Sequence, residues 1–198
     1  MKTLKTLFAS ALTAIVLSAT VFASTAAARG TMIEIRSANP DIKKVIVKGN
    51  LKVVVVQSKS EWISLDEEDR DLVSIKQVGN TLTVGTLVDR PISITLYVKD
   101  IYRIDAANQA CVKTIGKFNV KYLQVMLKDN ATARIKADTR SIYTVINDKA
   151  DLELLGTSEK HIIRAHSTAT MNTERFAAVV TNHEQGETET AMIKAVKK

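Results

Sequence analysis

The chain has few of the residues that cross-link or interrupt a fold. Its single cysteine, Cys111, excludes an internal disulfide, so packing must stabilise the protein. Two prolines and seven glycines leave most of the chain free to continue regular structure. Aromatic residues make up only 5% of the sequence, which argues against the stacking surfaces of nucleic-acid-binding proteins. We therefore expect no nucleic-acid partner.

The first 28 residues have the three parts of a secretory signal peptide. Lys2 and Lys5 form a basic start, residues 7–22 form an apolar stretch, and Ala26-Ala27-Ala28 offers small residues for cleavage. We predict cleavage after Ala28, with Ala23 as the alternative, and export to the periplasm, the cell surface or the extracellular medium. Nothing later in the sequence is apolar enough to span a membrane, so we expect no transmembrane segment in the mature chain.

The mature region, residues 29–198, has the length of one domain. Removal of the leader takes away two lysines and no acidic residue, which lowers the formal net charge from +7 to +5. The remaining basic residues are scattered, apart from Lys194, Lys197 and Lys198 near the C-terminus. This balance is compatible with a weak attraction to acidic glycans or lipid headgroups.

Short runs rich in Val, Ile and Thr, separated by Gly, Asn and Asp, predict an all-β protein. Alternation of apolar and polar residues, as in Thr81–Thr86, indicates strands with one buried face. Gly49-Asn50 and Gly79-Asn80 are typical of tight turns. The predicted strands of the first half are Lys44–Lys48, Leu51–Gln57, Trp62–Leu65, Leu72–Gln77, Thr81–Thr86 and Ile92–Lys99.

The second half contains a faint repeat with steps of 21, 19 and 19 residues. Its copies are ACV (110–112), ATA (131–133), ADL (150–152) and ATM (169–171), with a looser fifth copy at GET (186–188). A unit this short cannot bury its own apolar face, so copies must stack on one another. The repeat predicts a β-solenoid, with the strands of the first half as an N-terminal cap and the charged segment 187–198 covering the other end.

Alignment of the copies places equivalent residues in columns. Three columns are apolar and predicted to point inward: Ile104, Val125, Thr144 and Ile163; Ala106, Leu127, Ile146 and Ala165; and Val112, Ala133, Leu152 and Met171. A polar column is predicted to form the corners, where short polar side chains hydrogen-bond to their own backbone: Asn108, Asp129, Asp148 and Ser167. An outward, wet face is predicted at Lys113, Thr132, Arg134, Lys136 and Thr170.

The chain resembles the putative auto-transporter adhesin, head GIN domain family. The resemblance covers about residues 33–190 and is carried by VIVKGNLKV (45–53) followed by Gln57, GNTLTV (79–84), ISITLYV (92–98) and the coils from Ile101 onward. It implies a right-handed parallel β-helix in an exported bacterial protein without an established activity. Members often have glycine at the coil corners. The corners ANQA (107–110), DNA (129–131) and DKA (148–150) lack it, which weakens the argument for a strained corner backbone.

Few residues offer chemistry. His166 and His183 fall on adjacent coils and, with Glu184, are the best metal-binding candidates, although a ladder of exposed side chains explains them more simply. Asp129 and Asp148 share a corner column and are the best paired carboxylates, a like-charge pair that would raise one pKa, although a corner role explains them as well. The acidic run 66–71 lacks the ligand order of a calcium loop and is read as a solvated loop or short helical turn.

The remaining candidates are weaker. Cys111 is predicted to be a small, half-covered residue, with a free thiol or an intermolecular bridge as alternatives. Trp62 is predicted to lie in the core or cap, and Tyr97, Tyr102, Tyr122 and Tyr143 near the coil edges offer a modest stacking surface. We assign no catalytic, cofactor-binding or metal-binding residue and no cofactor.

These observations predict a non-catalytic, exported module, an adhesin or cell-envelope binding domain that presents a sheet face to a glycan or protein ligand. Two alternatives stay open: a polysaccharide-cleaving β-helix enzyme, and a structural protein of envelope assembly. The oligomeric state is not predicted.

Overall fold

The computed structural model describes residues 32–36 and 41–184, and about 70% of these residues lie in strands. The predicted signal peptide, the repeat copy at 186–188 and the charged tail lie outside this part of the chain. The strands are β1 (Met32–Arg36), β2 (Lys44–Lys48), β3 (Leu51–Gln57), β4 (Trp62–Asp66), β5 (Val73–Val78), β6 (Thr81–Thr86), β7 (Ile92–Val98), β8 (Arg103–Ala107), β9 (Cys111–Ile115), β10 (Asn119–Leu127), β11 (Thr132–Ile146), β12 (Asp151–Ala165) and β13 (Thr170–His183).

The strands form one curled, open sheet that is built from two stacks of mainly parallel strands. The first stack has the order β1-β4-β7-β3-β9 and continues into the N-terminal parts of β11, β12 and β13. The second stack has the order β5-β6-β2-β8-β10 and continues into the C-terminal parts of the same three strands. Only the pairs β1–β4, β4–β7 and β5–β6 are antiparallel.

The register of the long strands confirms the alignment of the four repeat copies. Cys111 pairs with Thr132, Thr132 with Asp151, and Asp151 with Thr170. Backbone bonds of 2.9–3.0 Å run from each copy to the one before it, as from the amide of Thr132 to the carbonyl of Ala110. Each coil therefore completes the backbone hydrogen bonding of its neighbour, as stacking of a short unit requires.

The core lies between the two stacks and is filled by alternate residues of each strand. In β2 and β3, for example, Val45, Val47 and Leu51 are each 0% exposed. The members of the three predicted inward columns that precede β12 are all buried, as are Leu152 and Ile163 of β12. The columns end after that: Ala165, the last residue of β12, is exposed, and Met171 of β13 is half-buried.

The first half of the chain is more than a cap, and the prediction was wrong on this point. The unit of β2 and β3 is inserted between the unit of β6 and β7 on one side and that of β8 and β9 on the other. These strands pair in parallel and contribute to the same core as the repeat copies. Only β1, β4 and β5 run antiparallel at the edge, so the cap is smaller than the sequence indicated.

Buried polar groups tie the edge strands to this core. The carboxylate of Glu61, which is 6% exposed, accepts hydrogen bonds from the amides of Ile42 (3.1 Å) and Lys99 (3.3 Å). The side chain of Asp66 accepts a bond of 3.3 Å from the amide of Glu68 and so begins a short 3₁₀ helix over Glu67–Leu72. The acidic run therefore forms a helical turn, one of the two predicted structures. Every buried side-chain nitrogen and oxygen in the described residues has a partner.

Candidate functional site

A shallow groove of about 350 Å³ lies on the outer face of the second stack. Successive side chains of a strand point to opposite faces. In β2, β8, β10 and β11 the residues that alternate with the buried ones therefore point to this face. The floor of the groove is mainly apolar, with Ile46, Ala107, Met126 and Val145, and it also contains Asp105. All four apolar side chains are partly or largely covered although they face outward. We call this surface the basic groove, for the charges described next.

The strand register fixes the shape of the floor. Ile46 of β2 is opposite Asp105 of β8, Asp105 is opposite Met126 of β10, and Met126 is opposite Val145 of β11. Neighbouring strands lie about 4.8 Å apart, so the three steps from Ile46 to Val145 span about 14 Å. The basic groove therefore runs across the strands rather than along them.

The carboxylate of the floor row, Asp105, is neutralised by two cations from one side of the basic groove. Asp105 accepts a hydrogen bond of 2.6 Å from Nε of Arg103 and forms an ion pair of 3.1 Å with Nζ of Lys44. The bond to Asp105 raises the pKa of Arg103 above its usual value. Two cations around one carboxylate leave this cluster with a net positive charge.

The other side carries two lysines. Lys48 is opposite Ala107 on one flank, and Lys128, which follows the pair Leu127–Ala106, lies beside Ala107 on the other. Two strand steps separate the lysines, so their backbones are about 10 Å apart. Both are exposed, and neither has an ion-pair partner among the residues that the structure describes. The small side chain of Ala107 leaves the space between them open.

Both outer faces carry charged residues. In the second stack Lys76 and Arg164 lie at the two ends of the row that contains Asp105. On the first stack the predicted wet face is exposed as expected; Glu153 there forms ion pairs with Arg134 (3.2 Å) and with Arg175, whereas Lys113 and Lys136 have no ion-pair partner among the described residues. Both outer faces therefore carry unpaired lysines, and the second stack combines them with an apolar groove.

The predicted corner column exists, but its chemistry differs from both interpretations of the sequence. Asn108, Asp129 and Asp148 adopt positive φ values of 63°, 62° and 58°. Asn and Asp tolerate this left-handed conformation better than other side-chain-bearing residues, so the corners remain left-handed without glycine. The argument that loss of glycine weakens a strained corner was wrong.

The corner side chains accept hydrogen bonds from backbone amides of the neighbouring coil, not from their own. The Asp129 carboxylate accepts from the amide of Asn108 (2.9 Å), and the Asp148 carboxylate accepts from the amide of Asp129 (3.0 Å). At the start of the column the side chain of Asn108 accepts from the amide of Gly49 (3.3 Å). Asp129 and Asp148 are therefore bound to amide groups and are not arranged as a catalytic pair.

The two histidines considered as metal-binding candidates, His166 and His183, do not lie directly opposite each other. His183 is opposite Ile163, whereas His166 lies three residues further along at the corner and contacts Thr168. No group of three or more His, Cys, Asp or Glu side chains in residues 32–36 and 41–184 is placed to hold a metal. Glu184 instead accepts a hydrogen bond of 3.1 Å from the hydroxyl of Tyr143.

His161, which the sequence did not single out, is the buried histidine of the described chain and is 2% exposed. Its Nε2 lies 3.0 Å from Oγ1 of Thr144, and its ring packs edge-on against Phe176 at a centroid distance of 5.2 Å. Burial, with a smaller contribution from the charge of His183, lowers the pKa of His161 to about 4. The imidazole is therefore neutral at physiological pH and has a packing role.

Of the remaining candidates, Cys111, Trp62 and Tyr97 lie on strands of the first stack. Cys111 is exposed and unpaired, which is more open than the predicted half-covered position. Trp62 of β4 stacks on Tyr97 of β7 with ring centroids 3.7 Å apart and planes 7° apart. Both rings are half-buried, so the pair joins an edge strand to the sheet.

Within the described residues no helix is long and apolar enough to cross a membrane.

The class of fold is all-β: one curled, open sheet whose corners at Asn108, Asp129 and Asp148 have positive φ. The sequence family described as "Putative auto-transporter adhesin, head GIN domain" matches residues 41–190, and the chain belongs to this family. Among curated proteins none matches the chain.

Several solved structures share this fold. A putative adhesin from Bacteroides fragilis aligns over 78% of this chain and 76% of its own length, with 11% identity and a TM-score of 0.65. A putative lipid binding protein from Parabacteroides distasonis covers 78% of both chains, with 11% identity and a TM-score of 0.58. A putative adhesin from Parabacteroides merdae covers 78% and 77%, with 13% identity and a TM-score of 0.54. At these identities the similarity shows the fold alone.

The sequence reasoning found the strands and the corner column but missed the basic groove. Its signal was present in the alternation: Lys44, Lys48 and Arg103 occupy outward positions of strands whose inward positions are apolar. What could not be read was that β8 lies between β2 and β10, which is the arrangement that brings Lys48 and Lys128 to either side of Ala107.

Proposed function

We propose that the protein is an exported, non-catalytic binding module of the cell envelope, and that it holds a negatively charged envelope component on the outer face of its second stack. The observation that carries this proposal is the basic groove, in which Lys48 and Lys128 flank a mainly apolar floor without acidic partners among the described residues. Membership in a family described as adhesins, and neighbours named as adhesins or a lipid binding protein, support a binding role.

We further infer that the sheet is a right-handed β-solenoid. Successive units in the second half pair in parallel at offsets of 19–21 residues, and left-handed polar corners recur at the same position of each unit. Such a scaffold is rigid, and its rows of outward side chains are evenly spaced. Both properties suit a surface that binds an extended, charged ligand.

The proposal of a non-catalytic role rests on the corner carboxylates. Asp129 and Asp148, the best-placed candidates for acid–base chemistry, are bound to backbone amides of the adjacent coil. Asp105, the carboxylate in the floor of the basic groove, is held between Lys44 and Arg103. A carboxylate fixed in this way by cations is a poor general base.

The test is binding of the purified mature domain to bacterial cell-envelope fragments at increasing salt. We expect affinity that falls with ionic strength and is lost in K48E/K128E. The matched control is K52E/K113E, which reverses two exposed lysines on the outer face of the first stack. Equal loss in both variants would mean that overall charge, not the basic groove, determines binding.

Two further measurements complete the test. Incubation with acidic polysaccharides should release no new reducing ends, and any release that requires Asp129 or Asp148 would contradict the non-catalytic assignment.

N-terminal sequencing of the exported protein should give a sequence that begins at Arg29, as cleavage after Ala28 requires. A start at Ser24 would indicate cleavage after Ala23 instead.

A further inference from the structure

The basic groove combines aliphatic and positively charged side chains. This combination limits the chemical class of ligand that it can bind. A purely polar anion would need cations and hydrogen-bond donors on the floor. The floor instead presents the aliphatic side chains of Met126 and Val145 on neighbouring strands, with Ile46 beyond the ion-paired Asp105 in the same row. Sugar rings are usually held on aromatic faces, and no aromatic residue lines this groove. An aliphatic floor of this kind favours an alkyl chain.

The charges are placed at one side of that row. Lys48, Ala107 and Lys128 form the neighbouring row, in which the small alanine leaves room for a group between the two ammonium ions. Asp105, which lies in the floor row between Ile46 and Met126, is ion-paired with Arg103 and Lys44 from the opposite side. A ligand that lies along the floor can therefore place an anionic head between Lys48 and Lys128 without meeting a free carboxylate there.

We propose that the basic groove binds a single-chain anionic amphiphile, with its alkyl chain on Met126 and Val145 and its phosphate or carboxylate head between Lys48 and Lys128. The inference rests on the proposed function, because it names the ligand class of the same site. The volume of about 350 Å³ limits the occupant to one chain.

The test uses the mature domain and n-alkyl phosphates from hexyl to dodecyl, titrated below their critical micelle concentrations in a calorimeter. Each added methylene should lower Kd about three- to fourfold until the chain reaches the end of the floor. Alkyl maltosides of the same chain lengths, which lack the charge, should bind roughly tenfold more weakly.

Two variants measure separately what the charged head and the alkyl chain of the ligand contribute to affinity. K48A/K128A should weaken the binding of alkyl phosphates roughly tenfold, while the gain in affinity per added methylene should be the same as in the native protein. M126Q/V145T changes two outward, half-buried residues, and it should flatten the dependence on chain length while the dependence on salt remains. K52A/K113A, on the other outer face, should bind as the native protein does. Circular dichroism and thermal unfolding establish that each variant is folded.

Three results would overturn the inference: no binding of monomeric alkyl phosphates, affinity independent of chain length, or equal affinity for phosphates and maltosides. Binding to anionic vesicles without binding to monomers would also overturn it, since it would show attraction to a charged surface. None of these results contradicts the proposed function if K48E/K128E still abolishes binding to envelope fragments. Loss of the proposed function is recognised separately, by envelope binding that the charge reversal leaves unchanged.

Discussion

The carboxylate of Asp148 accepts a hydrogen bond of 3.0 Å from the backbone amide of Asp129, one coil away. The same relationship joins Asp129 to Asn108 at 2.9 Å. Each corner residue thus satisfies a backbone donor of its neighbour, in a part of the coil where the backbone turns away from its strand pairing. The column fixes the register of three successive corners.

Substitution at Asp129 tests this column. Asp129→Ala removes the acceptor for Asn108 and places alanine at a φ of 62°, so we expect a loss of roughly 2 kcal/mol in the free energy of unfolding. Asp129→Asn keeps an acceptor oxygen and the tolerance of positive φ, and it should lose less than about 1 kcal/mol. Urea unfolding measures both, and equal losses would show that the carboxylate charge matters more than the hydrogen bond.

His161 should make stability depend on pH. Its pKa is about 4 in the folded protein, where burial disfavours the charged ring, and about 6.5 when the chain is unfolded. The unfolded state therefore binds the proton first as the pH falls. Stability is unaffected above pH 6.5 and is lost between about pH 6.5 and pH 4, by about 3 kcal/mol in total.

The measurement is urea unfolding across this pH window. His161→Gln should reduce the slope, at some cost in stability at pH 7 because the ring packs on Phe176. His166→Gln, which changes an exposed histidine at the following corner, is the control and should keep the native slope. An unchanged slope in His161→Gln would assign the pH dependence to other groups.

Gly156 should tolerate no side chain. Its φ is +102°, and a Cβ at this position would collide with the carbonyl oxygen of Ala137 on the adjacent coil. Because that oxygen belongs to backbone in the sheet, we expect Gly156→Ala to cost at least about 3 kcal/mol.

Gly79→Ala is the matched control for this glycine. Gly79 also has positive φ (+55°), but a Cβ there would meet nothing within 4 Å, so the loss should be about 1 kcal/mol from the backbone alone. Similar thermal shifts for the two variants would mean that the coils can separate enough to admit a methyl group.

The stack of Trp62 on Tyr97 should report on the edge strand β4. Trp62 is the only tryptophan, so its fluorescence observes this contact directly. Tyr97→Ala should shift the emission to longer wavelength and cost about 1 kcal/mol beyond the lost area, whereas Tyr97→Phe should do neither. Alkyl phosphate binding should leave the native emission unchanged, because the basic groove is on the other outer face.

The sequence predicted what depends on local alternation. Strands such as Thr81–Thr86 have the predicted bounds, and the inward position of Val125 follows from the repeat. The sequence did not predict the order of the units in the sheet. Periodicity indicates that a strand pairs with neighbouring strands, but it does not identify those neighbours. The outward lysines of the basic groove become a site only through that order. The prediction that Ala165 points into the core was wrong. The residue types in a column do not show at which strand the burial of that column ends.

The position of β2 and β3 in the stacks also sets the order in which the protein can be completed. This unit is synthesised early, yet its two neighbours, residues 81–98 and 103–115, are both made after it. Until residue 115 has been synthesised, at least one edge of the earliest strands stays unpaired and open to strands of other molecules. A nascent or truncated chain that stops between residues 57 and 98 should thus be prone to aggregate, whereas one that ends after residue 115 already encloses its first complete layer.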